Sequence, residues 1–158
     1  MSAPATAVAQ YILTRCAEKG DGDVTPMQLI KLVYIAHAWA LGLTGKALLD
    51  EQVEAWQYGP VIPSLYHAIK HFRSLPVKNL SAPLADFTPA ERSIMNQVVD
   101  IYGKFTGIQL SAMTHQPGTP WEMAWTRAGK NAAIPNDLIE TFYKAKSARG
   151  KDAHATAH

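Results

Sequence analysis

Apolar residues recur between Pro89 and about Phe105 with the period of an α-helix. Ile94, Val98, Ile101 and Phe105 are spaced at i, i+4, i+7 and i+11, which places them along one side of a helix. The pattern therefore predicts an amphipathic helix over this segment, with this row of side chains facing the core.

The segment from Pro26 to about Leu43 has a different pattern, because apolar residues occupy nearly all sides of the helix it would form. A helix of this kind belongs at the centre of a fold. Lys31 and His37 interrupt the apolar stretch, which is also shorter than the roughly 20 residues that a membrane span needs. Since the N-terminus lacks the basic and apolar regions of a signal peptide, we expect a cytosolic protein.

Three predicted helices begin with the same short pattern, Thr-Pro-x-Gln/Glu. In this pattern Thr caps the helix, Pro occupies the first helical position, and the Gln or Glu side chain can reach back to the cap residue. It occurs at Thr25–Gln28, Thr88–Glu91 and Thr119–Glu122. Residues 74–87, which include two prolines, predict an irregular loop. Further helices, some of them short, are predicted over about residues 6–19, 63–72, 107–115, 120–127 and 135–148.

Residues 46–58 alternate in part between apolar and polar side chains, as a half-buried strand does. We predict a strand that ends near Tyr58 and pairs with Ala47–Leu49 in a small β-hairpin. The sequence thus predicts a mainly α fold, with a single compact helical domain of about six helices over residues 1–149. Residues 150–158 are small and polar, and they predict a flexible C-terminal tail.

Composition argues against nucleic acid as the main ligand. The chain has 158 residues and a formal net charge of +2, whereas phosphate binding requires a clustered basic face. Lys144, Lys146, Arg149 and Lys151 lie close together, which leaves a DNA-binding regulator as an alternative to an ordinary solvated helix end. The single cysteine, Cys16, excludes an internal disulfide and fits a reducing compartment.

The sequence carries none of the short motifs that identify common catalytic or nucleotide-binding sites. G-x-G-x-x-G, a Walker sequence and G-x-S-x-G do not occur in it. His67 and His71 are four residues apart on a predicted helix, and together with His115 they could bind a metal in a hydrolase. The pair lacks the Glu of H-E-x-x-H, so a surface pair is the simpler interpretation. We therefore expect no enzyme activity, no catalytic residue, no metal and no cofactor.

Aromatic residues are concentrated at the ends of predicted elements. Trp56 and Tyr58 lie beside Gly59-Pro60, and Trp121 lies in the first turn of its helix. Aromatic side chains next to rigid prolines are typical anchors of protein–protein interfaces. Packing of the core or bracing of a loop is the alternative interpretation.

Two long segments of the sequence resemble a known protein family. The first runs from Thr25 to Phe72 and contains EAWQYGPVIPSLYHA; the second, Leu110–Trp121, reads LSAMTHQPGTPW. Together they resemble the Panacea domain, the family of SocA-like and phage-associated GepA-like proteins. The resemblance covers about residues 6–145, which is nearly the whole chain.

The resemblance implies a mainly α-helical fold and the antitoxin role in a toxin–antitoxin pair. The resemblance implies that such a protein neutralises a cognate toxin by direct contact. An extension of this hypothesis leaves two alternatives open: the protein blocks the toxin sterically, or it acts as an adaptor that delivers the toxin to a cytosolic protease. The resemblance leaves open the identity of the toxin and the oligomeric state. From the short apolar stretch and the small net charge, we expect neither a membrane nor a nucleic acid as a partner. The partner-binding residues that match the family's motifs are Trp56, Tyr58, Gly59, Pro60, Val61, Ser64, Tyr66, Thr114, His115 and Trp121.

Overall fold

The computed structural model describes residues 2–78 and 80–156 of the chain, with side chains up to residue 149. The described part contains seven α-helices, one 3-10 turn and three short strands, which confirms the mainly α prediction. The elements in chain order are α1 (Ala5–Glu18), α2 (Pro26–Thr44), β1 (Val53–Trp56), β2 (Gly59–Val61), α3 (Pro63–Ile69) with a 3-10 turn at Lys70–Phe72, α4 (Pro89–Tyr102), α5 (Gly107–Thr114), α6 (Pro120–Ala128), β3 (Ala132–Ile134) and α7 (Asn136–Thr156).

The predicted helix starts form as the Thr-Pro pattern requires. Thr25 and Thr88 each cap their helix through the hydroxyl, and in both cases the Gln or Glu three residues later completes a capping box. At Thr119 only the hydroxyl bond forms, because the Glu122 carboxylate accepts from the backbone one residue before the cap. Thr106 forms a further capping box at the start of α5, which the pattern missed because no proline follows it.

Helix α2 lies at the centre of the fold, as its apolar pattern predicts. Helices α1, α4, α5 and α7 pack around it, and α7 makes the most extensive contact. By length and composition α2 could cross a membrane, but two-thirds of its apolar window is buried inside this fold. Such a helix is typical of a protein core.

Gly42 allows α7 to approach α2 closely. A methyl group added at Gly42 would lie 2.7 Å from Cβ of Tyr143 and 2.8 Å from its backbone carbonyl carbon. Both distances are far below van der Waals contact, and the atoms that the methyl group meets belong to backbone and Cβ positions that cannot rotate away.

Replacing Gly42 with alanine is therefore expected to destabilise the fold by about 1–3 kcal/mol, because the two helices must separate. Urea unfolding followed by circular dichroism measures the change. Gly22→Ala is the matched control, since a methyl group there meets only Ala17 at 3.6 Å, an ordinary contact. Equal stability of the two variants would contradict the close crossing.

The small sheet has β1 in its centre, with β2 and β3 on either side, both antiparallel to it. The predicted pairing of the strand with Ala47–Leu49 is wrong. The backbone of that segment bonds to the N-terminus instead: Ala3 N–H donates to the Leu48 carbonyl, and Asp50 N–H donates to the Ala3 carbonyl. The strand partners are Gly59–Val61, after a tight turn, and the distant Ala132–Ile134.

Two details of the predicted helices also differ from the structure. Ile101 was expected on the buried face of α4 but is 60% exposed. Phe105 was expected to extend the same stripe but follows the end of the helix and is only half-buried. The buried face consists of the adjacent pairs Ile94-Met95 and Val98-Val99, because α4 packs between α1 and α2 and so buries a wider face than a single row.

The last helix was expected to end near residue 148, but α7 continues to Thr156. The predicted flexibility of residues 150–158 stays a prediction, and residues 157–158 lie outside the described part of the chain.

His37 connects three parts of the core through hydrogen bonds. Its ring is fully buried; the Leu49 backbone N–H donates to Nδ1 at 3.2 Å, and Nε2 lies 3.0 Å from Oδ1 of Asn136. Because Nδ1 accepts a hydrogen bond, the ring is neutral with its proton on Nε2, which donates to Asn136. Burial lowers the pKa of His37, an effect that the bond to Asn136 partly opposes.

The fold is expected to lose stability below about pH 6.5, the ordinary pKa of histidine. Below that pH the unfolded chain takes up a proton that folded His37 excludes, until the pH reaches the lower folded pKa. The expected slope contributed by this group approaches about 1.4 kcal/mol per pH unit. Urea unfolding between pH 7.5 and pH 5 measures it, with exposed His67→Gln as the control. A slope that persists in His37→Gln but vanishes in the control would contradict this assignment.

Candidate functional site

An open groove lies between the start of α2, the β1–β2 hairpin and α3. It has a volume of about 270 Å³, and we call it the Lys31 groove after the one buried cation in its wall. A space of this size accommodates one or two side chains of a partner rather than a cofactor, whose pockets are usually larger. The groove is lined by Pro26, Met27, Ile30, Lys31, Trp56, Tyr58, Val61, Tyr66, Lys70 and Arg73.

Four of the ten residues assigned to partner binding from the sequence line this groove: Trp56, Tyr58, Val61 and Tyr66. The rings of Trp56 and Tyr66 meet edge to face with centroids 4.9 Å apart. The indole N–H of Trp56 donates to Glu54 Oε1 at 2.9 Å, which fixes the orientation of its ring. Tyr58 is 63% exposed at the hairpin turn, so an approaching protein can reach it.

Gly59 and Pro60 form the part of the hairpin that lies against Lys31. Gly59 has a φ of +118°, and a methyl group added there would lie 3.1 Å from Lys31 Nζ and 3.3 Å from Thr114 Oγ1. Glycine is therefore required both for the backbone conformation and for the close approach of α2 and α5. On the other side of the turn, Ser111 of α5 donates a hydrogen bond to the Tyr58 carbonyl.

Trp121 supports the hairpin from behind. Its indole N–H donates to the Trp56 carbonyl at 2.6 Å, its ring stacks on Trp125 at 5.1 Å, and the His115 ring meets it edge to face. Helix α6, which carries Trp121, packs against both β1 and β3. Trp121 and His115 thus brace the wall of the groove without lining it.

The remaining predicted site residues, Thr114 and Ser64, do not line the groove. Thr114 is buried, and its hydroxyl donates to the carbonyl of Leu110 within its own helix. Ser64 is exposed on α3 and lies outside the groove lining. The motif residues therefore comprise four that line the groove, Ser64 exposed outside it, and a set of supports behind the hairpin.

Lys31 is the functional candidate that the sequence motifs missed. Its side chain is only 2% exposed, and Nζ donates to the Pro60 carbonyl at 2.9 Å. Burial lowers the pKa of this lysine to about 7. The available signal in the sequence was a lysine inside a helix that is apolar on nearly all sides, since lysine is rarely buried without a reason.

The alternative metal site does not assemble in the described residues. His67 lies against the Tyr66 ring and His71 against Phe72, while His115 contacts Trp121 at the back of the hairpin. Among the residues described, no group of three or more His, Cys, Asp or Glu could hold a metal ion.

The basic C-terminal cluster is partly used within the fold. The ammonium of Lys146 lies 6.0 Å from the centre of the Trp39 ring and 5.6 Å from that of Tyr143. Burial, and secondarily Arg149, lower the pKa of Lys146. Lys144 and Arg149 are exposed, and the side chain of Lys151 lies outside the described part.

Comparison with known proteins identifies the family. The model of the antitoxin SocA-like, Panacea domain family matches residues 29–122, more than half of the chain. Antitoxin SocA from Caulobacter vibrioides (strain NA1000 / CB15N) is 29% identical over 154 residues, covering 90% of this chain and 81% of that protein. No solved structure matches the chain. The matched region contains most of the groove lining and its buried supports, and the chain belongs to the antitoxin SocA-like, Panacea domain family.

Proposed function

We propose that this protein is an antitoxin that neutralises a cognate toxin by binding it directly at the Lys31 groove. One observation carries the proposal: the two sequence segments that mark the family lie next to each other in the fold, at the Lys31 groove. The segment Trp56–Tyr66 forms one wall of the groove, with Tyr58 exposed, and Leu110–Trp121 forms the support behind it.

The chemistry of the groove suits contact with another protein. Apolar and aromatic side chains form its wall, with Met27 and Tyr58 exposed at the edge and the cations Lys70 and Arg73 nearby. Protein interfaces commonly combine aromatic anchors with a polar, charged rim. The small volume favours insertion of a protein side chain over binding of a large metabolite.

Co-expression with the product of the adjacent open reading frame tests the proposal. We expect that product to arrest growth alone, and we expect this protein to restore growth and to co-purify with it. Tyr58→Ala should weaken the complex about tenfold or more, as interface aromatics often do. Leu84→Ala, a fully exposed apolar residue in the loop before α4, is the matched control and should bind normally. A toxic neighbour that is neither bound nor neutralised would contradict the proposal.

We further propose that neutralisation occurs by masking the toxin surface, with delivery to a protease as the alternative. Occupation of the groove is sufficient for masking, whereas delivery requires a second surface for the protease. The half-life of the toxin after translation is stopped distinguishes the two mechanisms. Masking predicts that the half-life is the same or longer when this protein is present; a clearly shorter half-life would favour the adaptor mechanism.

A further inference from the structure

Lys31 retains unused hydrogen-bonding capacity inside the groove. An ammonium group has three N–H donors, and within the described residues the Pro60 carbonyl is the one hydrogen-bond acceptor of Nζ. No carboxylate lies within ion-pair distance of Nζ in the described part of the chain. A buried cation is normally paired, because removal from water without a counter-charge is costly.

The charged residues that line the groove all have the same sign. Its lining includes Lys31, Lys70 and Arg73 but no aspartate or glutamate. The acidic residue on the neighbouring strand, Glu54, accepts the hydrogen bond of the Trp56 indole. The groove is therefore electrostatically complementary to a negatively charged group.

The side chains in the walls of the groove indicate which group lies beside the negative charge of the ligand. Ile30, Val61 and the Trp56–Tyr66 pair present apolar and aromatic surface next to the lysine. A free inorganic anion would leave this surface uncovered, and a nucleic-acid backbone would need more phosphate contacts than one buried cation provides. An aliphatic or aromatic side chain beside a carboxylate satisfies both features at once.

From these observations we infer that the Lys31 groove binds a segment of the toxin in which an aspartate or glutamate lies beside a bulky apolar residue, and that the carboxylate pairs with the Lys31 ammonium. This inference rests on the proposed antitoxin function and specifies the chemistry of the partner. Binding supplies the counter-charge that Lys31 lacks among the described residues, while Lys70 and Arg73 attract the acidic segment from the rim.

The test uses calorimetric titration of the full-length protein with the purified product of the adjacent open reading frame. Lys31→Met retains the aliphatic length and removes the charge, and it is expected to weaken binding about 30-fold or more, as loss of a buried charge partner does. Lys130→Met, at an exposed position outside the groove, is the matched control and should bind within about threefold of wild type. Circular dichroism and thermal unfolding establish that both variants are folded.

A second arm replaces each aspartate and glutamate of the toxin with its amide. One such change is expected to reproduce the loss, and its effect should not add to that of Lys31→Met, because the two groups form one pair. If Lys31→Met binds like wild type, the inference is overturned while the antitoxin function stands. If no toxin carboxylate reproduces the loss, the acidic side chain is the wrong occupant. If the wild-type protein forms no complex at all, the antitoxin function and the inference fail together.

Discussion

Trp121→Ala is expected to lower the free energy of unfolding by about 3–5 kcal/mol, the usual cost of truncating a buried tryptophan. The side chain is 9% exposed and packs between Trp125 and His115. Its N–H also holds the carbonyl of Trp56, so the substitution removes a large apolar contact and one backbone tie of the hairpin. Urea unfolding followed by far-ultraviolet circular dichroism avoids the change in tryptophan fluorescence.

Trp121→Phe separates the two contributions. It keeps most of the ring contact but leaves the Trp56 carbonyl without the indole donor, so about 1–2 kcal/mol is expected from the hydrogen bond. Trp125→Ala removes a half-buried ring from the same stack and should cost less than Trp121→Ala. If Trp121→Ala and Trp125→Ala cost the same, Trp121 does not hold the hairpin in the way the hydrogen bond indicates.

Lys31→Met is expected to have the opposite effect. It should raise the free energy of unfolding of the free protein at pH 7. The pKa of Lys31 is about 7 in the fold and 10.5 ordinarily, so keeping the lysine buried costs about 4 kcal/mol at neutral pH. Methionine removes that cost but also leaves the Pro60 carbonyl without its hydrogen-bond donor. The lost hydrogen bond reduces the gain in stability by about 1–2 kcal/mol. A net gain of about 2 kcal/mol is expected.

The dependence on pH identifies the cause of that gain. Between pH 7 and pH 10.5 the unfolded lysine holds a proton that the folded lysine has lost, so wild-type stability rises with pH relative to Lys31→Met. The advantage of the variant should shrink through this range and then reverse, because the lost hydrogen bond remains. Urea unfolding from pH 7 to pH 10 measures the difference, with Lys130→Met as control. A difference that does not change with pH would show that charge burial is not the source.

Together with its expected effect on binding, Lys31→Met separates stability from function. Some residues of binding sites lower the stability of the free protein and increase the affinity for the partner. This trade-off between stability and function is common at such sites. A variant that is more stable yet no longer neutralises the toxin would be the combined result.

The helices could be predicted because their signals are local. The caps at Thr25 and Thr88 lie within four residues of the bonds they make, and the apolar character of α2 is a property of one continuous segment. The wall of the groove formed by Trp56 to Tyr66 could also be identified from the sequence, since these residues are close together in the chain.

The sheet and the buried lysine could not be predicted because they depend on distant partners. Strand β3 is three residues long, too short for an alternating pattern, and it pairs with β1 although Val53 and its partner Ile134 are separated by about half of the chain. The hairpin partner was misassigned because the backbone of Ala47–Leu49 bonds to the N-terminus. Likewise, the position of Lys31 at the hairpin follows from the packing of α2 against β2, which no local pattern records.

The contact between α2 and α7 has a consequence for how the protein is made. Helix α2 is synthesised early, whereas α7, which covers it most extensively, is synthesised after all the other described elements. Until then one side of this apolar helix is uncovered in the nascent chain. Exposed apolar surface of this kind is bound by chaperones, is open to proteases and promotes aggregation. A chain that terminates before α7 is therefore expected to be degraded rather than to accumulate, so the supply of this protein depends on translation through α7.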